Sequence, residues 1–144
     1  MLTKGERKMT KDFLEKWEKY KSDLEKYFSN TPQEEYDSYL KITKAIFKNV
    51  FNREKIDFDL EEIIELVLGD YQGTLVFLIP TQGDDNKNYV ITSVSYGSCN
   101  VCDTLQSIEE LDGGNDIPSL RQVKGYMTLS LHIFQKIKWI GEIL

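Results

Sequence analysis

Histidine is almost missing from this chain. Its one histidine, His132, falls on the polar side of a C-terminal helical pattern, among Arg121, Lys124, Thr128 and Lys136. A Ser-His or Cys-His nucleophilic arrangement therefore has little to draw on. Cysteine is nearly as scarce. The two cysteines are too few for the framework of a disulfide-rich secreted domain, and reduced thiols in a cytoplasmic protein are the expectation. No apolar run approaches the roughly 20 residues of a membrane-spanning helix, so no membrane association is expected. Residues 1–9 are charged and carry no apolar h-region, so no secretory signal is read there. Internal repeats and low-complexity linkers are missing too. The 144 residues thus read as one domain, 1–144, long enough to bury a core without a metal or a disulfide.

Basic residues are missing from the middle of the chain. Residues 57–116 hold only Lys87 against 13 Asp and Glu, a balance of −12. Residues 1–56 carry 13 Lys and Arg against 10 acids, and residues 117–144 carry four bases against Glu142, so each flank is +3. A strongly acidic centre repels phosphate backbones, and direct nucleic-acid binding is not expected. It can attract a basic partner, or simply keep the protein in solution.

What is present is a sequence of amphipathic helices around one β region. Phe13, Trp17, Tyr20, Leu24, Tyr27 and Phe28 share a helical stripe, which predicts a first helix over about 10–28 whose aromatic face packs into the core. Thr31, Pro32 and Glu34 fit an N-cap, a first helical position and a capping box, predicting a second helix to about Phe51. Its inner face is Tyr36, Tyr39, Leu40, Thr43, Ile46, Phe47 and Val50. Asp59 and Glu62 suggest another cap, with a short helix through Ile63–Leu68 ending at Gly69. Residues 73–79 form a continuous apolar, β-branched run closed by Pro80, and 89–96 a second strand beyond a polar turn. Together they predict an antiparallel hairpin, which must pack on helices to be stable. A short helix over 102–111, a turn at 112–116 and a long helix from Pro118 to about Ile140 complete the pattern. The fold class expected is α+β: two N-terminal helices and a long C-terminal helix on a small antiparallel sheet.

The stretch Tyr96-Gly97-Ser98-Cys99-Asn100-Val101-Cys102-Asp103 holds both cysteines. In an antiparallel pair the end of one strand lies beside the start of the other. Asp70, Tyr71, Gln72 and Gly73 should therefore neighbour Tyr96, Gly97, Ser98, Cys99, Cys102 and Asp103 and line one polar surface. Four uses of that surface follow. Cys99 and Cys102 have the spacing of a zinc half-site, with Asp70, Asp103 or His132 to complete it. A Cys-x-x-Cys at a helix start suits redox chemistry, although Asp103 disfavours a thiolate and the order of elements is not thioredoxin-like. Gly97 and Ser98 before a helix suit an anion or nucleotide. Alternatively the cysteines simply pack, Gly97 supplies a positive φ, and Ser98 or Asp103 caps the helix. Glu109-Glu110 and Asp84-Asp85 read as solvated charges. No motif calls for a cofactor.

The octet 96–103, continuing into Thr104-Leu105-Gln106, together with the Asp-Tyr-x-Gly segment 70–73, is similar to a pattern in small uncharacterised proteins of bacteriophages and prophages. The likeness covers residues 70–106, and the helices outside carry no signature. It implies action in the bacterial host cytoplasm, where small acidic phage proteins bind host factors or sequester signalling nucleotides. The expectation is thus a non-enzymatic protein binding a host macromolecule, with counter-defence as its setting. A small-ligand or signalling-nucleotide binder using 70–73 and 96–103 is the alternative, and a zinc-stabilised module the third reading.

Overall fold

Aromatic-rich helices cover one face of an antiparallel sheet. The computed structural model describes residues 4–83, 88–99, 102–113 and 115–142, and the Asp84-Asp85 pair, Asn100, Val101 and Gly114 lie outside them. Among the described residues the helices are α1 (Lys4–Asn30), α2 (Tyr39–Ile46), α3 (Thr104–Glu109) and α4 (Leu120–Gln135). The strands are β1 (Ile64–Gly69), β2 (Gly73–Pro80), β3 (Asn88–Tyr96) and β4 (Lys138–Glu142), hydrogen-bonded in the order β1-β2-β3-β4. The fold is α+β. No helix among the described residues is long and apolar enough to cross a membrane.

The predicted aromatic stripe of α1 faces inward. Trp17, Leu24 and Phe28 are buried, with Phe13, Tyr20 and Tyr27 packed against the same cluster. Trp17 stacks on Phe134 of α4 at 4.8 Å, and Phe28 on Tyr126 at 5.4 Å. These ring contacts bind the first and last helices together.

The second helix starts later than expected. Pro32 is extended and makes no side-chain cap, and Gln33–Tyr36 is a single 3-10 turn. The hydroxyl of buried Tyr36 lies 2.8 Å from both the Phe28 and Thr31 carbonyls, which share its one proton and hold the segment in a corner. The working cap is Ser38, accepting from the Lys41 amide. After Ile46 the helix widens into a π turn over Phe47–Phe51, closed by Asn52 N–H to the Phe47 carbonyl at 2.8 Å. That wider turn buries Phe47, Val50 and Phe51 together.

Two segments expected to be helical are strands. Asp59 does cap, but only a 3-10 turn, Leu60–Glu62. Residues 64–69 then pair with β2 from Ile64↔Leu78 to Gly69↔Gly73. A Cβ at Gly73 would collide with the Leu68 carbonyl, and Gly69 sits at φ +120°, so both glycines serve a tight hairpin turn and neither ends a helix. The final helix begins at Ser119, whose side chain forms a capping box with Gln122, and ends at Gln135. Its buried face is Val123, Tyr126, Leu129, Ile133 and Phe134, whereas Leu120 in its first turn is 81% exposed. Ile137 and Trp139 instead follow the two-residue period of β4, which pairs with β3 through Val90↔Trp139. The expected hairpin itself is present, in register from Gly73↔Tyr96 to Pro80↔Tyr89.

The sheet has unlike faces. Phe77, Ile79, Val90, Thr92 and Val94 are buried under the helices, and Thr92 donates to the Ile133 carbonyl of α4 at 2.7 Å. Their alternating neighbours, among them Leu66, Val76, Leu78 and Ile91, lie outside the core cluster and remain partly or fully exposed.

Candidate functional site

The end of the sheet where β2 begins and β3 ends is organised around Asp103. This carboxylate is 4% exposed. Oδ1 accepts from the Tyr39 hydroxyl and from Gly97 N–H, both at 2.9 Å, and Oδ2 accepts from Gln106 N–H at 3.0 Å as the N-cap of α3. The Tyr39 oxygen in turn accepts from Leu105 N–H at 3.1 Å, and burial pushes its phenol well above the ordinary range. Asp103 thus ties α2, β3 and α3 together. Three hydrogen bonds to parts of the fold make it a structural keystone.

Cys99 and Cys102 are bonded to each other, their Cα atoms 5.3 Å apart, and no described cysteine is free. The expectation of reduced thiols is corrected accordingly. A tight turn sets the geometry: Cys102 N–H and Asp103 N–H both donate to the Cys99 carbonyl. Both cysteines are exposed, so neither is a core residue. As a disulfide the pair offers no thiolate to zinc, and no three of His, Cys, Asp and Glu among the described residues are placed to hold a metal. Gly97 does not have a positive φ. It is glycine because a Cβ there would strike the Cys102 carbonyl and stand 2.9 Å from Cys102 Sγ.

The ten residues expected to share a surface do gather at this end of the sheet, since Gly73 and Tyr96 are direct partners. They do not form one pocket. Asp70 belongs to the β1–β2 turn, where its carbonyl lies 3.5 Å from the Tyr96 hydroxyl. Asp70, Tyr96, Gly97 and Asp103 line a cleft of about 370 Å³ between β1 and the helices. Tyr71 is 82% exposed at the turn, and Gln72, Ser98, Cys99 and Cys102 are also exposed, outside the cleft lining.

Three further carboxylates line that cleft: Asp37, Glu65 and Glu109. Glu109 is no solvated charge. Its Oε1 is shut away from solvent with no hydrogen-bond partner, and burial, followed by repulsion from Asp37, Asp103 and Glu110, raises its carboxyl above the ordinary range. The signal for it was helical spacing, because Glu109 lies one turn after buried Leu105 on α3. Five carboxylates and no base line the cleft, an environment that opposes the phosphates of a nucleotide. His132 is exposed on α4, as its polar surroundings suggested.

The second surface was not legible in the sequence. On the sheet side away from the helices, Leu66 pairs across to Val76 and on to Ser93, while Ile64 leads to Leu78, Ile91 and Lys138. Ile64, Leu66, Leu68 and Ile140 are 42–57% exposed. Lys138 is the one charged residue in these rows. Comparison with family models, curated proteins and solved structures finds no match for the chain.

Proposed function

We propose that this chain is a non-enzymatic binding protein that engages another protein through the bare face of its sheet. The observation that carries this reading is the apolar row Ile64, Leu66, Val76, Leu78 and Ile91, which none of the described helices covers. Contiguous exposed apolar surface rimmed by charge is characteristic of interaction sites. Acidic residues flank β1 in the chain, Glu61 and Glu62 before it and Asp70 after it, with no base between residues 57 and 83, which favours a partner with basic surface. A bacterial host target, cytoplasmic action and counter-defence come from the likeness of residues 70–106 to phage proteins, and they remain part of the proposal on that basis alone. The lining of the 370 Å³ cleft makes a signalling nucleotide the weaker alternative.

The test is affinity capture from bacterial lysate with the wild-type chain and with a Leu66→Lys, Val76→Thr variant. Proteins retained by the first and lost by the second support the reading. Equal retention by both, at unchanged melting temperature, removes the bare face as the binding surface.

A further inference from the structure

The two edges of the sheet are built differently. β4 carries the devices that keep an edge from pairing. It is five residues long, a register shift interrupts its pairing at Tyr89/Val90, Lys138 is exposed, and Gly141 turns the chain at φ +76°. Ile137 and Trp139 are drawn onto the core. Of these devices β1 has only a closing positive-φ glycine, Gly69 at φ +120°, and its one charge is Glu65. All six of its residues are exposed, its register with β2 is uninterrupted, and it contains neither lysine nor proline. In an antiparallel ladder every second residue of an edge strand turns its N–H and C=O outward. Those groups of β1 have no strand beside them among the described residues.

We propose that β1 accepts an extended segment of a partner protein as a fifth strand, and that this segment alternates apolar and basic side chains. This rests on the protein-binding reading above and names the chemistry of the partner. Side chains of an added strand follow the parity of β1. Those on the bare face continue the row of Ile64, Leu66 and Leu68, so they are apolar. Those on the other face stand beside Glu65 and Val67, at the cleft whose carboxylates include Asp37, Asp70 and Glu109, so they are basic. Area supports using edge and face together. Four strands about 4.8 Å apart and some six residues long present a footprint of about 400 Å², roughly half of what one partner buries in a stable interface. A second copy of this chain fits poorly: antiparallel pairing of β1 with itself would bring Glu65 and Asp70 of both copies together at a cleft lined by no base.

The probes are labelled peptides of about eight residues, one alternating valine with lysine and one alternating valine with glutamate, titrated by fluorescence anisotropy against the full chain. The lysine peptide is expected to bind with a Kd on the order of tens of micromolar, at least about tenfold tighter than the glutamate peptide, and to weaken with salt. Backbone N-methylation at one parity of the lysine peptide should cost about tenfold or more, and at the other parity little. Glu65→Lys, at an exposed site, should narrow the preference for the lysine peptide without altering the melting temperature. Equal binding of both peptides, insensitivity to the parity of methylation, or a β1-dependent dimer in sedimentation that excludes the peptide would each overturn the proposal. If the peptides fail while the bare-face variant still loses its captured proteins, the edge assignment falls and the broader reading stands.

Discussion

Val76 and Phe77 are neighbours in sequence and strangers in environment. Phe77 is fully buried beneath the helices, while Val76 looks out from a face that no described helix covers. An antiparallel sheet with one wet face ordinarily alternates apolar and polar residues along each strand. β2 does not: from Leu75 to Ile79 every residue is apolar. Such a run belongs to a strand covered on both sides, yet the described helices cover only one. The difference between the faces therefore measures how much apolar surface folding leaves over.

A matched pair of substitutions tests the difference between the two faces. Phe77→Ala removes a ring from a filled site and should cost about 3–5 kcal/mol. Val76→Thr, on the bare face, should change stability by no more than about 0.5 kcal/mol. Urea unfolding of the two variants decides the matter. A large loss from Val76→Thr would mean that the outer face is packed after all.

Asp103 belongs to the covered side, where polar groups must find partners as carefully as apolar ones. Asp103→Ala removes the cap of α3 and leaves the Tyr39 hydroxyl and the Gly97 N–H without their acceptor. The expected loss is about 2–3 kcal/mol, read by the same unfolding experiment. Ser98→Ala, on an exposed residue at the same end of the sheet, serves as the control and should be nearly silent. Equal losses in the two variants would strip Asp103 of its special place.

These regions also differ in how far the sequence reveals them. The 73–79 and 89–96 hairpin was legible because β-branched runs, Pro80 and a polar turn agree locally. A cap at this helix was legible only as a choice between Ser98 and Asp103, and the fold gives it to Asp103. β1 was not. Asp59, Glu61 and Glu62 carry the chemistry of a helix start and do cap a turn, but Ile63, Ile64 and Val67 are β-branched, and the open edge of β2 recruits them. Strand formation there is a tertiary decision. β4 hid inside an apparent continuation of α4, although Lys136-Ile137-Lys138-Trp139-Ile140 alternates with period two. The cleft was illegible for a further reason: Asp37, Glu65 and Glu109 come from three distant segments that only the folded sheet assembles.

Glu109 offers the smallest effect and the most specific sign. Its carboxyl is raised, first by burial and then by Asp37, Asp103 and Glu110, so the folded chain holds this proton to a higher pH than the unfolded chain does. Wherever the native state binds more protons, stability falls as pH rises. The cost of ionising Glu109 is therefore absent below the ordinary carboxylate range, grows as pH climbs through the raised value, and is complete above it. Glu109→Gln removes that ionisation. At neutral pH it should stabilise the chain by on the order of 1 kcal/mol, and near pH 4 the advantage should shrink toward zero as the wild-type carboxyl takes up its proton. Urea unfolding of both proteins at the two pH values reads the difference. An advantage that persists unchanged near pH 4 would mean that the substitution acts through packing and that the carboxylates of the cleft do not repel one another.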